Sequence, residues 1–513
     1  MKILLVYPQH PDTFWSFKHA LKLIAKKAAY PPLGLLTVAA MLPDEWEKKL
    51  VDMNVTSLND EDIKWADYVF ISAMVVQKSS TKEVIARSKK YNTKIVAGGP
   101  LFTTGYEEYD GVDHFVLDEA EITLSPFLED LKKGCAKHIY TSKQRPGITK
   151  TPIPMWSLLD KKKYASLSIQ YSRGCPFNCE FCDIIILNGH KPRTKDKEQV
   201  LNELDALHNQ GWRSSVFIVD DNFIGNKRKL KTEILPAIIE WMKENRYPFP
   251  LHTEVSINLA DDEKLMQLMT EAGFGRVFVG IETPNEESLA ECNKFANENR
   301  DLVASVKKIQ NYGLEVQGGF IVGFDSDPLS IFTSQINFIQ RSGIVTAMVG
   351  LLNAPRGTKL YQRLQVENRL LKNMSGDNMD FSINFIPKMN HEALIKGYKD
   401  ILSTIYSPKQ FYERIRVFLK EFDPQKKKGR ARLQSYHLRG LFNSIWLLGV
   451  RENGRRYYWR FFISVLLKYP RSFPLSVTLT VYGLHFRKVI EKYISLPIED
   501  ILDASQLKTR QIS

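Results

Sequence analysis

Short apolar runs alternate with helical patterns twice along this chain, and that alternation leaves few folds open. In residues 1–145, Ile3–Tyr7, Tyr68–Met74, Lys94–Ala97 and His114–Leu117 read as strands, with amphipathic stretches such as Leu35–Leu42 and Lys82–Tyr91 between them. Strands separated by helices pair in parallel, so a doubly wound α/β sheet is expected, with ligands beyond the carboxyl ends of its strands. A linker, 146–165, carries Thr151-Pro152-Ile153-Pro154 and closes this unit. Over 166–360 the alternation resumes with Val216–Val219, Leu251–Val255, Val277–Ile281, Val316–Val322 and Met348–Leu352. Repeats of about 30 to 40 residues fit a complete or partial (β/α) barrel of the TIM type, with its chemistry at the C-terminal strand ends. Over 361–513 the strand signal fades into a helical, aromatic and basic domain.

At 513 residues the chain exceeds one ordinary core, in keeping with several domains. Five cysteines, three of them within eight residues, argue against a disulfide framework and for a reduced compartment, the cytoplasm. Met1–Pro8 is too short for a signal-peptide apolar region and reads as a first strand. No run reaches the roughly 18 to 20 apolar residues of a membrane span. The formal charge of +13 points to an anionic partner without choosing among nucleic acid, a phosphorylated ligand and a membrane surface.

The first loop of the second unit reads Ser172-Arg173-Gly174-Cys175-Pro176-Phe177-Asn178-Cys179-Glu180-Phe181-Cys182. Three thiolates spaced C-x3-C-x2-C hold three irons of a cuboidal 4Fe-4S cluster and leave the fourth open to an outside ligand. A structural zinc site needs a fourth ligand, for which His190 is the nearest candidate. Cys135 and Cys292 lie in unremarkable contexts and read as ordinary residues.

This motif, with Phe181 just before its last cysteine, resembles that of the radical S-adenosylmethionine superfamily. The resemblance implies that S-adenosylmethionine chelates the open iron and is cleaved reductively to a 5′-deoxyadenosyl radical, with flavodoxin or ferredoxin as external electron donor. It also implies cofactor contacts at the other strand ends. Asp220 and Asp221 stand where a Gly-Gly-Glu often meets the methionine amino group. Glu254, Ser256 and Glu282 correspond to ribose and methionine contacts, and Gly318, Gly319 and Gly323 to the stretch that approaches adenine. From the residues alone, acidic groups at strand ends also serve as helix caps and strand glycines as bulges.

The first unit resembles a cobalamin-binding domain through Tyr30–Leu35, Ser72-Ala73-Met74, Gly98-Gly99-Pro100 and Leu117–Glu121. Ser72, Gly98 and Gly99 are the implied contacts to the nucleotide tail. The cobalt-ligating Asp-x-His-x-x-Gly loop is missing, its place taken by Val51–Thr56, so a protein histidine on cobalt is not expected. A flavodoxin-like domain without cofactor is the alternative.

With Thr13–Phe17 and Tyr30–Pro43, the arrangement resembles the hopanoid C-2 methylase group over nearly the full length. The resemblance implies methylation of an unactivated carbon of a polycyclic lipid, using two molecules of S-adenosylmethionine per turnover. Bacteriochlorophyll side-chain methylases share the architecture, so a tetrapyrrole or another natural product is the rival substrate, and a metal-binding scaffold the rival class. Between Glu421 and Pro470, eleven Lys or Arg face three Asp or Glu, among Phe442, Trp446, Tyr457, Tyr458, Trp459, Phe461 and Phe462. Such mixing fits peripheral contact with an anionic inner membrane. Single-stranded nucleic acid uses the same residue types but is not the expected partner, and a private core with solvated charges is the plain reading. Lys426–Arg432 by itself reads as an exposed loop.

Overall fold

The computed structural model describes residues 1–371, 374–377, 380–426, 428 and 435–501. Its first sheet contains β1 (Lys2–Tyr7), β2 (Glu47–Asp52), β3 (Tyr68–Ser72), β4 (Lys94–Gly98), β5 (His114–Val116) and β6 (Ile139–Tyr140). They are ordered β2-β1-β3-β4-β5-β6, and every pairing is parallel. The strand order reverses at β1, which opens a crevice at the carboxyl ends of β1 and β3. Two strands lack the apolar run that marks the others. Glu47-Lys48-Lys49-Leu50-Val51-Asp52 is a charged edge, as unpaired edges commonly are, and β6 is only two residues long. The segment 51–56 accordingly lies at the end of edge strand β2, while the turn after β1 is Pro8–Asp12.

The second sheet is built from β7 (Ser166–Ile169), β10 (Ser215–Ile218), β11 (Leu251–Val255), β12 (Phe274–Glu282), β13 (Glu315–Val322) and β14 (Ala347–Leu351). They stand side by side in chain order, all parallel, with β7 and β14 at the two edges. That is a partial barrel of six strands. Between β7 and β10 a short antiparallel hairpin, β8 (Ser172–Arg173) with β9 (Arg193–Thr194), brackets the cysteine segment. Val216, Ile218, Val277, Val279 and Ile281, on one face of their strands, are fully buried in a single apolar core. Phe217, His252, Arg276 and Glu315 are register partners on the opposite face.

The C-terminal part is helical: Lys359–Val366, His391–Ile405, Pro408–Glu421, Ser435–Ser444 continuing as wider turns over Ile445–Arg451, Arg455–Lys468 and Phe473–Ile494. The basic run 426–432 lies largely outside the described residues. Among the described residues no helix is long and apolar enough to cross a membrane.

Residues 14–30 leave the first sheet and join all three parts. Phe14 stacks on Phe486 of the last helix at 4.1 Å and 5°. Trp15 packs edge-on against Phe278 at 5.5 Å and donates its indole N–H to Met348 Sδ at 2.9 Å. Tyr30 lies beside Phe217 and shares a hydrogen bond with His252 Nε2 at 3.2 Å. Phe486→Ala removes a fully buried ring from this junction and is expected to cost about 3–5 kcal/mol, seen as a lowered thermal midpoint. A loss below about 1 kcal/mol would show that the stack does not hold the segment.

Candidate functional site

The cysteine loop owes its path to two aspartates at the end of β10. Asp220 accepts hydrogen bonds from the Tyr171 backbone N–H at 2.8 Å and the Ser172 hydroxyl at 2.6 Å. Asp221 accepts from the Gly174 N–H at 2.7 Å and from the Asn188 amide at 3.0 Å. Gly174 has φ +96°, and a side chain there would stand 2.9 Å from the carbonyl oxygens of Gly189 and Lys191. Only glycine lets the strand turn so sharply into Cys175.

Two charge networks then clamp the loop. On one side Arg173 donates to both oxygens of Glu121 at 2.8 and 2.9 Å and to Glu119 at 2.9 Å, and Arg193 donates to the same Glu119 oxygen at 2.8 Å. Burial opposes the charge of Arg173, but the bonds from Glu121 and then Glu119 outweigh it and raise its pKa. Burial likewise resists ionisation of Glu121, and Arg173 more than reverses it. On the other side Glu180 takes a two-pronged bond from Arg363, at 2.7 and 3.0 Å, while its N–H donates to the Cys292 carbonyl at 2.9 Å. Arg363 also bonds Asp325 after β13, which Arg369 grips through two further bonds at 2.7 and 2.6 Å.

All three thiols are free, and burial raises the pKa of each. The cation nearest to opposing that trend is Lys294, whose charge acts on Cys175, Cys179 and Cys182 alike. It is ion-paired with Glu282 at 2.6 Å. Glu282 sits at φ +64°, a left-handed conformation of a kind that clusters at functional sites, and its carbonyl accepts from Gln335 at 3.1 Å. Gly280 leaves room for the pair, since a Cβ there would come within 2.9 Å of Lys294 Nζ.

These residues fit a cluster. The thiols share one loop, Cys179 buried and Cys175 and Cys182 half-buried, beside a cation, and Asn178 Oδ1 is buried without a hydrogen-bond partner among the described residues. No three Cys, His, Asp or Glu side chains among the described residues converge on one metal-ion position, as zinc would require, and His190 is exposed. A cuboidal cluster spreads its thiolates over separate irons and makes no such demand.

The other expected contacts divide. Ser256 shares hydrogen bonds with Asn222, which also reaches the Cys175 thiol, so both belong to the loop's surroundings. Glu254 shares the strand face of His252, and its carboxyl has no hydrogen-bond partner among the described residues. Burial, then the charges of Asp221 and Asp220, push it up to about 7. Burial also pushes Asp220 up to about 7 against its hydrogen bonds. Phe181 lies 6.2 Å from Phe324, at the end of β13. The space beside Gly319 is filled by the Phe278 ring, and that beside Gly318 by Phe320 and Ile344, so in this structure the two serve close packing. A contact of theirs with adenine rests on the resemblance alone.

At the crevice of the first sheet, Ser72 pairs in register with Gly98, and a Cβ on Gly98 would meet the Val116 carbonyl at 2.6 Å. Gly99 has φ +86°, and a Cβ there would collide with the Ser72 hydroxyl, for which no partner is found among the described residues. These three residues thus come together as a small polar cradle, which fits a nucleotide tail. Glu119 and Glu121, from the stretch that resembles the end of the cobalamin domain, bind the cysteine hairpin instead. Sequence reading missed Lys294 and Arg363 altogether. Arg173, Glu119 and Glu121 stand in its motifs, with nothing there to pair them.

Comparison with known proteins places three family models along the chain. Residues 23–128 match the B12 binding domain, 169–331 the radical SAM superfamily and 358–496 a domain of unknown function, DUF4070. An uncharacterized methyltransferase of Synechocystis is 42% identical, with 99% of this chain and 96% of the relative covered. The hopanoid C-2 methylase of Rhodopseudomonas palustris is 33% identical, covering 91% and 90%. The solved structure of the cobalamin-dependent S-adenosylmethionine radical enzyme OxsB with aqua-cobalamin bound superposes with a TM-score of 0.62. It covers 99% of this chain and 84% of that one at 13% identity, which speaks to the fold.

Two measurements probe the site. Alanine at Cys175, Cys179 or Cys182 is expected to lose essentially all cluster iron and sulfide after anaerobic reconstitution, while Cys135→Ala and Cys292→Ala retain them; retention in any of the three would overturn the assignment. The raised pKa of Glu254 means that the folded state keeps a proton the unfolded chain has released, so stability falls as pH climbs from 4.5 to about 7. Glu254→Gln should therefore gain thermal stability over the parent between about pH 5 and about pH 8, and a constant difference would contradict the buried carboxyl.

Proposed function

The chain belongs to the cobalamin-binding radical S-adenosylmethionine methyltransferases, and from that premise we propose that it methylates an unactivated carbon of a hopanoid-type polycyclic lipid. It is a C-methyltransferase that uses a 4Fe-4S cluster, S-adenosylmethionine and cobalamin on a small-molecule substrate. The observation that carries the lipid reading is the 33% identity to the hopanoid C-2 methylase over nine-tenths of both chains.

When bound, these groups supply hydrogen-atom abstraction and a methyl group, for which an unactivated C–H bond offers acid–base catalysis no acidity to use. The chain's own residues do the placing. Cys175, Cys179 and Cys182 are the iron ligands of this reading. Lys294 offsets the charge gathered on them, and Glu282 fixes the Lys294 ammonium. Asp220 and Asp221 act as positioning residues, since their oxygens already hold the loop backbone. Ser72, Gly98 and Gly99 receive the nucleotide tail at the first sheet. The Arg173–Glu121 and Arg193–Glu119 contacts set how far that crevice lies from the cysteines. Flavodoxin or ferredoxin supplies electrons from outside. The same reading places the protein in the cytoplasm, peripheral to the inner membrane.

Lipid profiling of a deletion strain that makes hopanoids tests the substrate. Loss of the methylated hopanoids, restored by the parent gene but not by a Cys182→Ala copy, is the expected outcome. Unchanged methylated hopanoids with an undermethylated tetrapyrrole in the extract would transfer the assignment to the rival substrate.

A further inference from the structure

The C-terminal helices bear a surface that their own packing does not explain. On the helix 435–451, Leu438, Phe442, Trp446 and Val450 recur every four residues and are all exposed, Phe442 by 68%. On Arg455–Lys468, Trp459, Ile463 and Leu467 do the same, with Leu466 exposed beside them and Leu467 exposed by 76%. The opposite faces supply the core, where Leu448, Tyr458, Phe461 and Val465 are buried. The reading of this region as a private core therefore holds for Tyr458 and Phe461 and fails for Phe442, Trp446 and Trp459. The two stripes meet where Trp459 lies on Gly449, its indole N–H donating to the Gly449 carbonyl at 2.8 Å. Large apolar residues in one continuous exposed surface mark an interaction site in a folded protein.

The charges around the stripes are one-sided. Between Ser435 and Arg471 the chain carries seven Lys or Arg, all exposed, among them Arg439, Arg451, Arg455 and Arg460. None of the seven forms an ion pair among the described residues. Glu452 is the one acidic residue of this span, and it is paired with Arg487 at 3.0 Å. A second copy of the chain would set these arginines against their own kind. Nucleic acid bases stack on aromatic rings, whereas Leu438, Val450, Ile463, Leu466 and Leu467 offer aliphatic surface. Apolar side chains ringed by arginine match the acyl boundary and anionic headgroups of a bilayer. The helices are about 25 and 21 Å long and lie on such a surface rather than cross it.

We propose that the helical hairpin 435–468 docks face-down on an anionic phospholipid bilayer, giving the DUF4070 region the task of bringing the enzyme to its lipid. This deepens the lipid reading above and rests on it for its purpose. The test is flotation of the full, reconstituted protein with vesicles of equal parts phosphatidylglycerol and phosphatidylcholine, beside pure phosphatidylcholine. Salt-sensitive flotation with the anionic vesicles is expected, weakened about tenfold or more in Phe442→Glu/Leu467→Glu and in Arg455→Glu/Arg460→Glu. All four positions are exposed, so parental iron and cobalamin content confirms that the variants fold.

Failure of the parent to float, or flotation that ignores both variants, overturns the proposal. So does a dimer in light scattering, a bound single-stranded RNA or a bound protein that accounts for the same face by being lost in the same variants. Flotation needs no turnover, so a chain that floats as described yet leaves hopanoids unmethylated overturns the substrate reading alone.

Discussion

Two arginines and two glutamates, nearly shut off from water, hold the architecture together at its functional point. Arg173 and Arg193 belong to the hairpin that carries the cysteines, and Glu119 and Glu121 to the start of the helix Ala120–Lys132 above the first sheet. Their side chains are 15, 13, 6 and 9% exposed in that order. Charges so buried are tolerable only in company, and removing one member of such a pair typically costs about 3–5 kcal/mol. The cysteine loop therefore cannot drift from the crevice of the first sheet without exposing a bare charge to the interior. The cysteine loop and the crevice of the first sheet are thereby kept in one relation.

The opposite flank of the loop is tied as firmly to the C-terminal part. Arg363 spans Glu180 in the loop and Asp325 at the end of β13, and the arginines around Asp325 hold its carboxyl down at about 2. Helix Lys359–Val366 is thus part of the site's walls. The excursion 14–30, pinned by Phe14 on Phe486 and Trp15 on Phe278, adds a third tie between the first sheet, the barrel and the last helix. These three ties set the cysteine loop on rigid elements, as a precisely held site requires.

What was legible in the sequence was what is local. Strands buried on both faces, such as Ile3–Val6, print continuous apolar runs, and the cysteine spacing lies within one loop. The charged edge strand Glu47–Asp52 and the two-residue strands print nothing of the kind. Asp220 and Asp221 were located at the right strand end, but their orientation toward backbone N–H groups depends on how β7 and β10 pair. Lys294 was invisible because its charge acts on the thiols only after the barrel has brought the turn following the helix Glu286–Glu291 near the loop following β7. The exposed stripes of the C-terminal hairpin show the same limit. The composition showed aromatics among arginines, and only the packed helices separate Tyr458, which is inside, from Trp459, which is outside.

On the reading proposed above, the clamp is an aligning device distinct from the iron ligands. The double variant Arg173→Met/Glu121→Gln removes the interaction while keeping the interior neutral, which spares the fold. Anaerobic turnover of the reconstituted variant, scored as methylated product per deoxyadenosine formed, is the most direct measurement. Parental iron, sulfide and cobalamin with a sharply lower product ratio is the predicted result. A ratio equal to the parent's would contradict it.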